Sequence, residues 1–283
     1  MANAQFHKPA DLTEACAVLS QYGARAKILA GGTDLMVAVN RQLLSPEVLV
    51  FIGNAGLDYI KTRGESLVLE AAVTHTEVAR SALVRQKVPL LAQACGSIGS
   101  QAIRNVGTIG GNLVNASPAA DAAVALMALG AELKLVSSKG ERNVVVADFF
   151  TGPGQTALQP DELVKEIIVP IQKAGWEWRW YKLGQRKADV CGVVSVAVTV
   201  QRDNGTCSKA LIALGAVAPT PLLARKAAAV LEGKRLEGSL IEEAAKVAAE
   251  ETSPIDDVRA TAWYRKKVSS VLVKRLLGEI AES

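Results

Sequence analysis

Few side chains in this sequence are of a type that performs chemistry alone. The segments best suited to hold a chemical group are two short runs of bare backbone, AGGTD at 30–34 and TIGGN at 108–112. Each joins a glycine pair to small hydrogen-bonding residues. A glycine N–H can close on an anion, and a glycine Cα can let two chain segments touch; sequence alone does not separate the two uses. Two such pairs at strand-to-helix turns match an arrangement that wraps a pyrophosphate without needing Lys or Arg. Neither run is G-x-G-x-x-G, and no glycine precedes Lys-Ser or Lys-Thr, so the usual dinucleotide turn and the P-loop lack support.

The remaining inventory narrows the chemistry. His7 and His75 are the only histidines, which excludes a multi-histidine metal centre and leaves Ser/His or Cys/His catalysis poorly supplied. Cys16, Cys95, Cys191 and Cys207 are far apart without a C-x-x-C, against a zinc site, an iron–sulfur loop or a disulfide framework, and read as buried thiols. Redox or hydrolytic chemistry therefore calls for a borrowed cofactor. The 32 basic and 28 acidic residues are spread along 283 positions, so no basic block points to nucleic acid or an anionic membrane. The N-terminus lacks the apolar core of a signal peptide, and no apolar run approaches the ~18 residues that span a bilayer. A cytoplasmic protein without membrane insertion is expected.

The elements that must position the glycine runs follow from periodicity. Leu12, Ala15, Cys16 and Leu19 share a helical face that stops at Gly23. AKILA (26–30) reads as a strand, GGTD as a turn, LMVAVNRQL (35–43) as a helix and VLVFI (48–52) as the next strand, an α/β pattern. LVLEAAV (67–73) is a strand, with helices near 75–83 and 89–98. Ser117-Pro118 reads as an N-cap and first helical residue of the alanine-rich helix 119–130. AELKLVSS and RNVVVADFF pair across a Gly140 turn, 151–162 is loop-like, and LVKEIIVP (163–170) is a strand. Beyond a boundary near 171–176, Trp176, Trp178 and Trp180 share one face, better explained by a half-buried sheet than by base stacking. VVSVAVTV and KALIALGAV add two antiparallel strands around a DNG turn (203–205). Helices at about 222–232, 239–252 and 257–280 complete an α+β unit.

LAGGTDLM (29–36), RNVGTIGGNLVNASPAADAA (104–123), YKLGQRKADVCGV (181–193) and LGAVAPTPLLARKAAAVLEGK (214–234) occur in the order and spacing of a known family. The chain resembles, over essentially its whole length, the FAD-binding medium subunit of molybdenum hydroxylases, the family of carbon monoxide dehydrogenase, xanthine dehydrogenase and bacterial aldehyde oxidoreductases. The resemblance implies an α+β fold: two N-terminal α/β FAD-binding subdomains of the vanillyl-alcohol-oxidase and CO-dehydrogenase flavoprotein type, 1–174 split near 55/56. A C-terminal α+β domain, 175–283, follows with a three-stranded antiparallel sheet and helices. It implies FAD as the cofactor here. In partner subunits it implies two [2Fe–2S] clusters and a molybdenum-pterin, in a large molybdopterin-binding and a small iron–sulfur chain assembled as (αβγ)2.

Matching the motifs gives residue roles. Leu29, Ala30, Gly31, Gly32, Thr33, Asp34 and Leu35 form the first loop, with the Thr33 hydroxyl on phosphate. Thr108, Ile109, Gly110, Gly111 and Asn112 form the second, with Asn115 nearby; the bare Gly110-Gly111 backbone approaches the phosphates, and Gly111 is expected at φ > 0. Asp121 matches an acid that binds the adenosine ribose, or is a helix-start acid. Lys182 matches a cation near the isoalloxazine ring, or is an exposed strand lysine. Val190 falls where relatives place a side chain over one flavin face. Ile103 and Arg104 belong to the second loop region, and Arg104 contacts phosphate or pairs with a surface acid. No side chain of this subunit is expected to act as a catalytic acid or base. A self-sufficient FAD-dependent oxidoreductase and a non-redox interaction subunit stand as the alternatives.

Overall fold

The computed structural model describes residues 4–186 and 191–283, and Val190, expected over the flavin, lies outside them. The chain is built on three principal sheets. The first is parallel, with the strands Gln5–His7, Val48–Phe51 and Ala26–Leu29 in that spatial order. Helix Leu12–Tyr22 covers it: Asp11 accepts the Glu14 amide at 2.9 Å as N-cap, and Ala15, Cys16, Val18 and Leu19 bury one stripe. Gly23 ends the helix at φ 53°, a conformation that costs a side chain.

The second sheet is antiparallel, in the order Ile60–Arg63, Ser66–Glu70, Leu163–Pro170, Glu132–Ser137 and Gly140–Val145. Leu163–Pro170 returns to its middle after the helices of 75–128, which explains why Leu163, Val164, Glu166, Ile167 and Val169 are buried across both of its faces. Helix Asp121–Ala128 is buried at every position, so its alanine-rich sequence is a core helix rather than an amphipathic one.

The third sheet runs Trp176–Leu183, Val194–Asp203, Thr206–Gly215 and Leu222–Leu223, all antiparallel. It has four strands rather than three, because Leu222–Leu223 pairs with Ala213–Leu214 before helix Arg225–Leu231 begins. One face, including Trp178, Trp180, Ala197 and Ala213, joins the core around helix Asp121–Ala128. The other packs valines of 194–200 against helices Arg225–Leu231, Gly238–Glu250 and Ala262–Ala281.

Other differences from the sequence reading are local. The helix after Ser117-Pro118 starts at Asp121; the Ser117 hydroxyl instead accepts the Ala119 amide at 3.2 Å in a turn. The strand Gly140–Val145 gives way to a helical turn, Val146–Phe149, and 150–156 holds a small strand pair. The last helix begins at Ala262, capped by Thr261. Cys16, Cys95 and Cys207 are buried, but Cys191 is exposed.

Candidate cofactor site

Both glycine runs open onto one cavity of about 630 Å³. Its wall is built from the strand end and loop at 26–35, the turn and helix start at 107–115, and the segment 154–164. Eleven predicted residues line it: Ala30, Gly31, Gly32, Thr33, Asp34, Leu35, Thr108, Gly110, Gly111, Asn112 and Asn115. Leu29 and Ile109 stand behind the wall; Ile109 is fully buried.

The two loops touch. A Cβ on Gly31 would lie 1.9 Å from the Val106 carbonyl oxygen, so only glycine fits there. Gly110 meets the same limit on its other side, where a Cβ would lie 2.6 Å from both the Cβ and the carbonyl oxygen of Ala71. The second members of the pairs differ: Gly32 has φ 71°, whereas Gly111 lies inside helix Ile109–Asn115 without a positive φ, correcting the expected strain there. Gly111 is open apart from the Thr108 hydroxyl, 2.9 Å from a Cβ placed on it. Of the second pair, then, Gly110 is bare for packing and Gly111 alone gives open access to the cavity.

Hydrogen bonding separates the loops further. Ile109 and Gly110 donate their amides to the carbonyls of Val73 and Ala71, both at 2.9 Å, and Gly111 donates to the Thr108 hydroxyl at 3.1 Å. Those donors are spent. In the first loop the amides of Gly31, Gly32, Thr33, Asp34 and Leu35 have no acceptor among the described residues. Asp34 sits at the N-cap position of helix Leu35–Asn40 but its side chain caps nothing. Unpaired amides at a helix start, bordering a cavity, are the donors that bind a phosphate. Across the cavity, Asn112 Oδ1 is buried without a partner among the described residues and calls for a donor such as a hydroxyl. Cavity size, free amides and an orphaned acceptor together fit an extended nucleotide.

Asp121 and Lys182 find each other. Lys182 Nζ lies 2.6 Å from Asp121 Oδ2 and donates to the Ser97 carbonyl at 2.8 Å, both side chains being nearly buried. Burial pushes the Asp121 carboxyl up to about 6 against the opposing pull of Lys182. The pair closes the junction between helix Asp121–Ala128 and strand Trp176–Leu183. Neither residue lines the cavity, although Ile98, next to Ser97, does. Lys182 is therefore not an exposed strand lysine, and Asp121 combines its helix-start position with an ion pair.

Arg104 pairs with no acid among the described residues: its guanidinium donates to the Ile98 and Gly99 carbonyls, each at 2.8 Å, and to Gln101, pinning the 98–101 turn. Ile103 is 41% exposed beside it and also lines the cavity. The sequence reading missed His75 and the 154–164 wall. The capping box Thr74-x-x-Glu77 marks the helix start that carries His75 and was the available signal; 154–164 offers none. Among the described residues no cluster of three His, Cys, Asp or Glu could hold a metal, and no helix is long and apolar enough to cross a membrane.

A parallel βαβ layer, an antiparallel sheet with buried helices and a nucleotide-sized cavity between glycine loops define a nucleotide-binding class of protein. The family comparison agrees. Residues 2–172 match the FAD binding domain in molybdopterin dehydrogenase, and residues 179–280 match the CO dehydrogenase flavoprotein C-terminal domain. The chain belongs to this family of FAD-binding oxidoreductase subunits.

It is 33% identical over 271 residues to the carbon monoxide dehydrogenase medium chain of Afipia carboxidovorans, covering 95% of this chain and 94% of that one. To the xanthine dehydrogenase FAD-binding subunit of Escherichia coli O157:H7 it is 29% identical over 279 residues, covering 98% and 95%. Its structure matches the carbon monoxide dehydrogenase of Hydrogenophaga pseudoflava with a TM-score of 0.94 at 34% identity, covering 98% of this chain and 96% of that one. Quinoline 2-oxidoreductase from Pseudomonas putida 86 matches with a TM-score of 0.90 at 31% identity, covering 99% and 97%.

Proposed function

We propose that this chain is the FAD-carrying electron-transfer subunit of a molybdenum hydroxylase complex, receiving electrons from [2Fe–2S] clusters of a small partner chain and delivering them to an external acceptor. A large molybdopterin-binding chain would oxidise the organic substrate. The observation that carries the reading is the run of amides from Gly31 to Leu35, without acceptors among the described residues, in a loop that lines a nucleotide-sized cavity. These amides and the Thr33 hydroxyl would hold the pyrophosphate, Gly111 would leave room for it, and Asn112 and Asn115 would meet sugar hydroxyls. Leu29, Ala30, Thr108, Ile109 and Gly110 would set the shape of the wall, and the Asp121–Lys182 pair would support its junction with the C-terminal sheet. Bound FAD supplies reversible redox chemistry, and the chain's residues bind and orient it.

The division into 1–174 and 175–283 belongs to the same reading, supported by two family matches that meet between 172 and 179. Denaturing the purified protein should release noncovalent FAD; FMN, or no flavin, contradicts the assignment. Co-purification with one large and one small chain in a doubled heterotrimer is the expected assembly. A stable lone chain turning over an organic donor at full rate would contradict it.

A further inference from the structure

We propose that His75, which neither the motifs nor the family match assigns, is a further cofactor-binding residue whose neutral imidazole donates from Nε2 to the phosphate-bearing part of the ligand held between the two glycine loops. The inference rests on the reading of the chain as an FAD subunit and adds a donor to it.

Three observations place the ring. His75 lines the cavity and opens helix His75–Arg80 immediately after its Thr74 cap. Its amide donates to the Gly107 carbonyl at 3.0 Å, fixing it beside the second loop. A Cβ on Gly107 would lie 3.4 Å from His75 Cδ2 and 3.4 Å from the Thr33 hydroxyl. The ring edge carrying Cδ2 is thus turned to the spot that the first loop's hydroxyl also faces, and Nε2 is bonded to Cδ2. Gly107 leaves this corner open because any side chain there would fill it.

The protonation state follows from the other nitrogen. Nδ1 is sealed from solvent and has no partner among the described residues. A buried lone pair without a partner is tolerated better than a buried N–H without one. The proton therefore belongs on Nε2. Burial and the nearby Arg104 charge push the His75 pKa down to about 4, so without a ligand the ring is neutral at pH 7. The neighbouring ionisable groups are Arg104, Asp34 on the Thr33 loop and Glu77, whose carboxylate is engaged in the Thr74 capping box.

The chain has two histidines, so a ¹⁵N-histidine NMR titration of the full chain resolves His75 against His7 as an internal control. With FAD or ADP bound, the His75 signals should report the Nε2–H tautomer and a pKa raised by the added negative charge. Adenosine, which lacks phosphate, should leave them unchanged. His75→Phe should weaken FAD binding by about ten- to a hundredfold, the range for losing a hydrogen bond to a charged acceptor, and His75→Gln, which keeps a donor, should recover part of it.

If FAD binds wild type with unmoved His75 signals, or His75→Phe binds as tightly as wild type, the inference is overturned while the FAD reading stands. If wild type binds neither FAD nor ADP, both fall.

Discussion

The two glycine pairs have nearly the same sequence grammar and opposite hydrogen-bonding states. In each, the first glycine is pressed onto backbone from elsewhere, Gly31 on Val106 and Gly110 on Ala71. Each pair adjoins a short helix, the first preceding Leu35–Asn40 and the second lying within the opening turn of Ile109–Asn115. The helix that holds Gly110-Gly111 is capped by Thr108, with its leading amides satisfied by Val73, Ala71 and Thr108. The helix after Gly31-Gly32 has no side-chain cap, and its leading amides are unpaired among the described residues. A helix start with orphaned donors beside a cavity lowers its free energy by taking an anion, whereas a capped start gains less from one. The second loop therefore acts as wall and clamp, and the first as the phosphate hook.

The comparison breaks most visibly at Gly31. Gly31→Val forces a Cβ into a carbonyl oxygen 1.9 Å away, where the nearest atoms are all backbone of Val106 and Gly107 and no side chain can yield. A loss of about 3 kcal/mol or more is expected, together with the flavin. Thermal melts and flavin absorbance of the same preparation check both.

Gly110→Ala places its methyl 2.6 Å from Ala71 and should cost about 2 kcal/mol by overpacking. Double substitution with Ala71→Gly should return part of that stability, since the clash is shared between the two residues.

The ion pair outside both loops provides a pH-dependent control. The folded-state pKa of Asp121, about 6, lies above the ordinary Asp value. The folded chain thus holds this proton more tightly than the unfolded chain, and the Asp121 contribution to stability rises as pH falls from about 6 to about 4. The rise amounts to about 2 kcal/mol. Urea midpoints across that window should show it in wild type relative to Asp121→Asn; a difference independent of pH would place the carboxyl in a more polar setting.

Gly111→Ala is the smallest perturbation of the fold. Its methyl meets only the Thr108 hydroxyl, so stability should change by no more than about 1 kcal/mol, the worth of a helix cap. FAD affinity should nevertheless fall by about tenfold, ~1.4 kcal/mol. A variant with unchanged affinity would make Gly111 a helix residue without a ligand role.

Much of the scaffold was legible because periodicity is local. Leu163–Pro170 matched its apolar run, and the helix from Leu12 stopped at Gly23 as expected. The glycine runs were visible because close backbone approach leaves a compositional trace. Their division of labour was not, since Ala71 and Val106 are partners remote from the residues they exclude. The Asp121–Lys182 pair joins positions 61 apart, each with a sufficient local explanation as helix-start acid or strand lysine. Ser117-Pro118 has the local chemistry of a helix start and forms a turn instead, its hydroxyl accepting the Ala119 amide while the helix begins at Asp121. His75 carries no spacing signature, and only packing brings its ring beside Gly107 and Thr33.

Hydrogen exchange of the full chain with and without saturating FAD tests the contrast most directly, read on peptides covering 30–36 and 107–113. Strong added protection is expected at 30–36, where amides gain their first acceptors, and little change at 107–113, where Ile109, Gly110 and Gly111 are already bonded. Added protection confined to 107–113, with 30–36 exchanging freely in the FAD-bound chain, would contradict it.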